Sequence, residues 1–156
     1  MRLLTRFCMA AISVLGLERR GKMGKQNSRV FELRTEGLHL RLRFSSPDYE
    51  GWISVFAEVS AEPFSGTYAF QMLSGELRTL LEKLEELDRS VGKVVEISWK
   101  NVEDNIELRL SLNSRGQIVG HYQFSPGLGG EGANLSGGFH ADQSYLGDWI
   151  RQLRRI

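Results

Sequence analysis

The sequence predicts an α+β domain: a mostly antiparallel sheet of about eight strands, in the order ββββαββββα, packed against two helices. Three observations predict it. Short runs alternate apolar and polar residues and are separated by Gly, Pro and Asn turn signals. A leucine stripe at 3.6-residue spacing, Leu77, Leu80, Leu81, Leu84 and Leu87, interrupts these runs midway. A second apolar stripe, Tyr145, Leu146, Trp149, Ile150 and Leu153, closes the chain. Runs of strands punctuated by single helices argue for α+β rather than a parallel sheet.

The elements follow in order. Val30 to Thr35 and Leu38 to Phe44 flank Glu36-Gly37, a short hairpin signal. Leu38, Leu40, Leu42 and Phe44 alternate with His39, Arg41 and Arg43, the pattern of a sheet with one wet face. After a loop holding Pro47 and Gly51, Trp52 to Ala61 sets Ile53, Val55, Ala57, Val59 and Ala61 on one side. Glu62-Pro63 breaks the pairing, because proline has no amide to give a ladder. Phe64 to Leu73 follows, with Phe64, Tyr68, Phe70 and Met72 in phase. Ser74 is the expected N-cap of the first helix, with Glu76 in its first turn, where negative charge suits the helix dipole. That helix should end near Ser90, and Gly92 releases the chain.

The second half repeats the theme without repeating residues. Lys93 to Trp99, Asn105 to Leu112 and Gln117 to Phe124 read as strands, the last two joined by Asn113-Ser114-Arg115-Gly116. Ser125 to Gly132 reads as a glycine-rich loop, and Ala133 to His140 as the last strand. Asp142 then caps the closing helix.

Composition bounds the function. At 41% hydrophobic and 25% charged residues, 156 residues suffice for one domain with its own core. The single cysteine, Cys8, excludes an internal disulfide and a cysteine-cluster metal site, and it favours a reducing, cytoplasmic home. Residues 1–22 carry five basic residues against Glu18, a net of +4, which leaves the rest of the chain at −3 out of the total of +1. The mild acidity of that remainder argues against a nucleic-acid footprint.

Residues 1–29 read as an N-terminal extension outside the domain at 30–156. Phe7 to Leu17 is an apolar run of eleven residues, too short for the roughly 20 that a spanning helix needs. No stable membrane insertion is therefore expected from it. Three readings stay open: a disordered extension or mis-assigned start, with Met23 as the true one; a peripheral amphipathic helix; or a secretory signal. The dense positive charge at 18–22 weighs against the last.

No catalytic constellation stands out. His39, His121 and His140 all fall in strands, where the plain reading is a surface position. The sharper reading makes His140 a general base beside Asp142, two residues on. Gly127-Leu128-Gly129-Gly130-Glu131-Gly132 has neither dinucleotide nor P-loop spacing, and no helix follows it to hold a phosphate. Trp52, Trp99 and Trp149 read as core or rim anchors. Neither a cofactor nor a metal is expected. Glu82, Glu85 and Glu86 on the first helix, with Glu103 and Asp104, are the candidate contacts for a basic partner.

Three segments carry a family resemblance. They are Phe70 to Leu77, with its strand-ending aromatic and Gly-Glu-Leu helix start; the Leu-Arg-Leu-Ser-Leu-Asn-Ser-Arg-Gly hairpin at 108–116; and Gly-Gly-Phe-His-Ala-Asp-Gln-Ser-Tyr-Leu at 137–146. The chain from Val30 to Ile156 resembles the WapI-like immunity proteins, small bacterial α+β domains grouped with wall-associated polymorphic toxins. The resemblance implies a non-catalytic protein that binds and neutralises a toxin domain. The alternatives are an enzyme using His140 and Asp142, and a scaffold that binds a peptide or ligand. The oligomeric state is left open.

Overall fold

The computed structural model describes residues 29–127 and 132–156. Strands β1 (Val30–Thr35), β2 (Leu38–Phe44), β3 (Trp52–Ala61) and β4 (Phe64–Leu73) form one antiparallel sheet in that order. Helix α1 (Ser74–Arg89) leads away from it. Strands β5 (Val95–Lys100), β6 (Ile106–Leu112), β7 (Gln117–Phe124) and β8 (Leu135–Asp142) form a second sheet of the same design. A 3-10 turn at Gln143–Tyr145 opens into α2 (Leu146–Leu153). The expected order of eight strands and two helices is met, but the strands are shared between two sheets of four. Helix α1 is the reason: it carries the chain off β4 before β5 begins.

Alternation sets the faces. In β2 every second residue from Leu38 to Phe44 is buried, and in β7 Ile118, Gly120, Tyr122 and Phe124 point inward. The inner faces of both sheets, the Leu80–Leu84–Leu87 stripe of α1 and the Leu146–Trp149–Ile150–Leu153 stripe of α2 belong to one apolar cluster. Of the three tryptophans, Trp99 and Trp149 are buried in this core and Trp52 is half-buried at its rim. Gly120 matters here because the Phe139 ring lies directly on it. A Cβ at Gly120 would come within 2.1 Å of that ring.

The cap of α1 differs from expectation. Leu73, not Ser74, is the N-cap, and Ser74 is the first helical residue. Leucine has no side-chain acceptor, so the work falls to Glu76, whose Oε2 accepts from Leu73 N at 2.6 Å. Ser74 N is already committed to Gly51 O, which ties the helix start to the loop before β3. The other end behaves as the sequence suggests, with Ser90 as C-cap and Gly92 at φ 91°.

The two sheets meet without a shared ladder. Among the described residues their one backbone bridge joins the β1–β2 turn to β8, where His140 N donates to Glu36 O at 3.1 Å. Gly37 is needed at that turn twice over: its φ is +92°, and an added Cβ would lie 3.1 Å from Gly138 O. Elsewhere side chains stand in for backbone. Gln152 of α2 accepts from Glu32 N and donates to Glu32 O, as a neighbouring strand would.

At the other seam, Asn101, Asn105 and Ser125 are fully buried. Asn101 Oδ1 accepts from the amides of Asn105 and Ile106. Asn105 Nδ2 donates to the carbonyls of Ser125 and Gly127, and Asn105 O accepts from Tyr68 Oη at 3.0 Å. Among the described residues no buried side-chain nitrogen or oxygen lacks a partner.

Two substitutions test this packing. Gly120→Ala should cost about 1–3 kcal/mol, the usual penalty of overpacking a filled core, whereas Gly66→Ala, whose Cβ meets nothing within 4 Å, should lie within about 0.5 kcal/mol of the parent. Asn105→Ala should cost about 2–3 kcal/mol by leaving buried carbonyls unpaired. Urea unfolding followed by circular dichroism measures all three.

Candidate functional site

The five acids singled out from sequence fall into two groups. On α1, Glu82 and Glu86 are exposed, and Glu85 is clamped by Arg154 beyond α2 through Nε at 3.2 Å and Nη2 at 2.7 Å. Arg89 approaches Glu85 at 4.0 Å, and Lys83 approaches Glu86 at 3.7 Å. Glu103 and Asp104 sit in the β5–β6 turn, where Asp104 takes φ 56° and holds Lys100 at 2.8 Å. The hydrogen bond to Asp104 raises the Lys100 pKa and keeps it charged. The turn is pinned to the start of α1, because Val102 N donates to Glu76 Oε1. Nine residues of helix, about 13 Å, separate Glu76 from Glu85. The turn acids therefore stand by the N-terminal end of α1, away from Glu85 and Glu86 towards its C-terminal end, with Glu82 midway along the helix. Among the described residues Glu82 and Glu103 form no ion pair.

The histidines are dispersed over three shallow surface depressions. His39 Nε2 lies 2.6 Å from Glu32 Oε1 on the outer face of the first sheet. His121 lies on the outer face of the second sheet, opposite Arg109 on β6. Its depression, about 570 Å³, also holds Glu96 and Glu107, and Glu107 is held by Arg109 Nε at 2.6 Å. His140 and Asp142 do share a depression, of about 490 Å³, with Glu36 and Tyr145. The Asp142 carboxylate is occupied, however: Oδ1 accepts from Ser144 N at 2.8 Å and caps the 3-10 turn that leads into α2, whose own N-cap is Tyr145 and not the Asp142 that the sequence suggests. Hydrogen bonding from Ser144, through its hydroxyl first and its backbone amide second, lowers the Asp142 pKa below the ordinary carboxylate range. Its part is to start the closing helix.

A fourth feature escaped sequence reading. The Phe64 end of β4 extends past the core, and Phe64 is 63% exposed although its phase points it inward. Together with Val59, Gly66 and Tyr68 it faces Phe124 and Leu135 across an apolar cleft of about 250 Å³. Burial raises the Tyr68 pKa, and its hydroxyl stays protonated to donate to Asn105 O. Periodicity could not show this, because it reports which side a residue faces and not how far the opposite wall reaches.

Among the described residues no group of three or more His, Cys, Asp or Glu is placed to hold a metal ion, and no helix is long and apolar enough to cross a membrane. Residues 128–131 of the glycine-rich loop and the N-terminal extension through residue 28 lie outside the described residues.

These observations define a class: a small α+β domain of two antiparallel sheets, with its charged groups on the outer faces and a core given over to packing. The chain belongs to the immunity protein WapI-like family, whose family model matches residues 23–156. This is the family that the segments at 70–77, 108–116 and 137–146 resemble. A search of curated proteins finds no match. Among solved structures, a chain from a guideRNA-binding protein complex bound to a gRNA is similar at 10% identity with a TM-score of 0.46, over 83% of this chain and 90% of that one. A likeness that distant carries no argument about function.

The capping role of Asp142 has a pH signature. A group whose pKa is depressed on folding stabilises the fold above its unfolded pKa and loses that effect as pH falls through the folded one. The difference in melting temperature between the parent and Asp142→Ala should therefore be constant near neutral pH and close up in acid, below the usual carboxylate range. Melts from pH 7 to pH 2 measure it.

Proposed function

We propose that this chain is an immunity-type protein that binds a polymorphic toxin and neutralises it, with no catalysis of its own. Family membership carries the proposal. The geometry supports it: each histidine stands in a separate depression, and the Asp142 carboxylate beside His140 is spent on a cap. The protein works through the shape and charge of its exterior. Residues 23–156 carry a net −3, and Glu82 and Glu103, which form no ion pair among the described residues, help steer a basic toxin surface into contact. Glu85, Glu86 and Asp104 contribute to the same field while holding their own cations. The toxin is met in the cytoplasm, where an inhibitor of this kind protects the producing cell, and binding occludes the toxin's substrate.

The test is co-expression with the toxin encoded by the adjacent gene. The parent chain should restore growth and co-purify with the toxin. Glu82→Lys and Glu103→Lys should lower the association rate by up to about tenfold at low salt, and the difference should shrink as salt is raised. Undiminished toxicity in the presence of the folded protein would refute the reading.

A further inference from the structure

The four sheet edges are protected unequally. On β1, Glu32 is paired by Gln152 and Glu36 by His140. On β8, His140 joins that bridge, and the β1–β2 turn closes over Gly138. β5 is only six residues long and carries Glu96 and Lys100. β4 is ten residues long, pairs continuously with β3 without a bulge, and contains neither charge nor proline. Natural sheets usually blunt an exposed edge with charge, proline or a bulge. β4 has none of these.

The direction of its free groups follows from two hydrogen bonds. Ser74 N donates to Gly51 O, its partner in the β3–β4 register, while Leu73 N turns the other way, to Glu76. Antiparallel ladders alternate residue by residue, so the amides and carbonyls of Ser65, Thr67 and Ala69 point away from β3. None of the three bonds to another described residue. On the inner side of this open stretch lies the apolar cleft of Phe64, Gly66 and Tyr68.

We propose that the Phe64–Ala69 edge of β4 docks an extended basic segment of the toxin, which adds to the first sheet as a fifth strand. This rests on the immunity reading and names how the partner is held. Main-chain hydrogen bonds to Ser65, Thr67 and Ala69 supply the pairing, and alternate apolar side chains of the incoming strand enter the cleft. Charge selects the occupant. Glu62 precedes the strand, and Glu103 lies in the turn that is pinned at Leu73 by Glu76 and at Tyr68 by Asn105 O. Both acids are without an ion pair among the described residues. A basic segment complements them. A second copy paired antiparallel through β4 would instead bring Glu62 of each molecule toward Glu103 of the other.

The test uses the full chain and a fluorescein-labelled decapeptide of alternating Lys and Val, followed by fluorescence anisotropy, with an alternating Glu-Val decapeptide as the counter-probe. Thr67→Pro removes an outward amide, and Gly66→Trp fills the cleft from a position where a Cβ has open space. Each should weaken Lys-Val binding by about tenfold or more, Thr67→Pro by removing a backbone hydrogen bond and Gly66→Trp by closing the cleft to the incoming side chains. Ser111→Lys on the other sheet should leave it unchanged. Circular dichroism reports folding, and if Thr67→Pro does not fold, Gly66→Trp and Ser65→Lys decide. Equal binding by all variants, or of both peptides, overturns the proposal. So does a concentration-dependent dimer that Gly66→Trp abolishes, since a second copy would then be the occupant. If the parent and Gly66→Trp neutralise a co-expressed toxin equally well, the edge assignment fails and the immunity reading stands. If the parent binds the Lys-Val strand through β4 but neutralises no toxin, the immunity reading fails instead.

Discussion

Two sheets that share a core but no continuous ladder leave a seam of backbone donors and acceptors, and satisfying that seam is the constraint on which the rest of the structure depends. A buried, unpaired peptide group costs as much as a lost hydrogen bond. The chain meets the constraint with a few polar side chains at junctions. Gln152 imitates a strand beside Glu32. Asn105 gathers β4, the β5–β6 turn and the exit of β7 around one buried amide. Glu76 reaches Leu73 with one carboxylate oxygen and Val102 with the other, and its own carbonyl accepts from Trp99 Nε1. These joints fix where the sheets stand relative to each other, and through that they fix which surfaces are left for a partner.

The charged residues lie mostly outside this framework. Arg43 bridges to Glu58 and stacks over Phe56, Glu85 is shared by Arg154 and Arg89, and Glu107 is held by Arg109. Exposed pairs of this kind add little to stability. Their larger effect is to pin part of the surface charge locally, while Glu62, Glu82 and Glu103, among other acids, stay without an ion pair among the described residues. An exterior that is largely balanced, with limited acidic spots beside one unguarded strand edge, suits recognition of a protein better than chemistry on a small molecule.

Legibility followed the range of the interaction. The β1–β2, β2–β3 and β3–β4 strand limits, the α1 stripe and the Asp142 cap were readable because each depends on residues only a few positions apart. The α1 cap was misassigned for the same reason in reverse: Ser74 has the better capping side chain, but its amide was claimed by Gly51, some twenty residues earlier. The acidic candidates are legible as a charged run, yet the separation of Glu103 and Asp104 from Glu85 and Glu86 depends on where Glu76 pins the β5–β6 turn. Asn105 and Gln152 carry no local signature at all, because their side chains reach partners in other elements.

The amino-acid sequence by itself determined the elements, their order, the inward face of each and the family to which the chain belongs, since periodicity and turn chemistry are local and the family motifs mark those same caps, turns and core aromatics. Only the tertiary structure decided that the eight strands divide into two sheets, that the edges of β1 and β8 are tied at Glu32 and at the Glu36–His140 bridge while that of β4 stays open, and which acids keep their charge free. The reason is that pairing across a seam is settled by groups far apart in the chain. Their distance in space exists only once the shared core has formed.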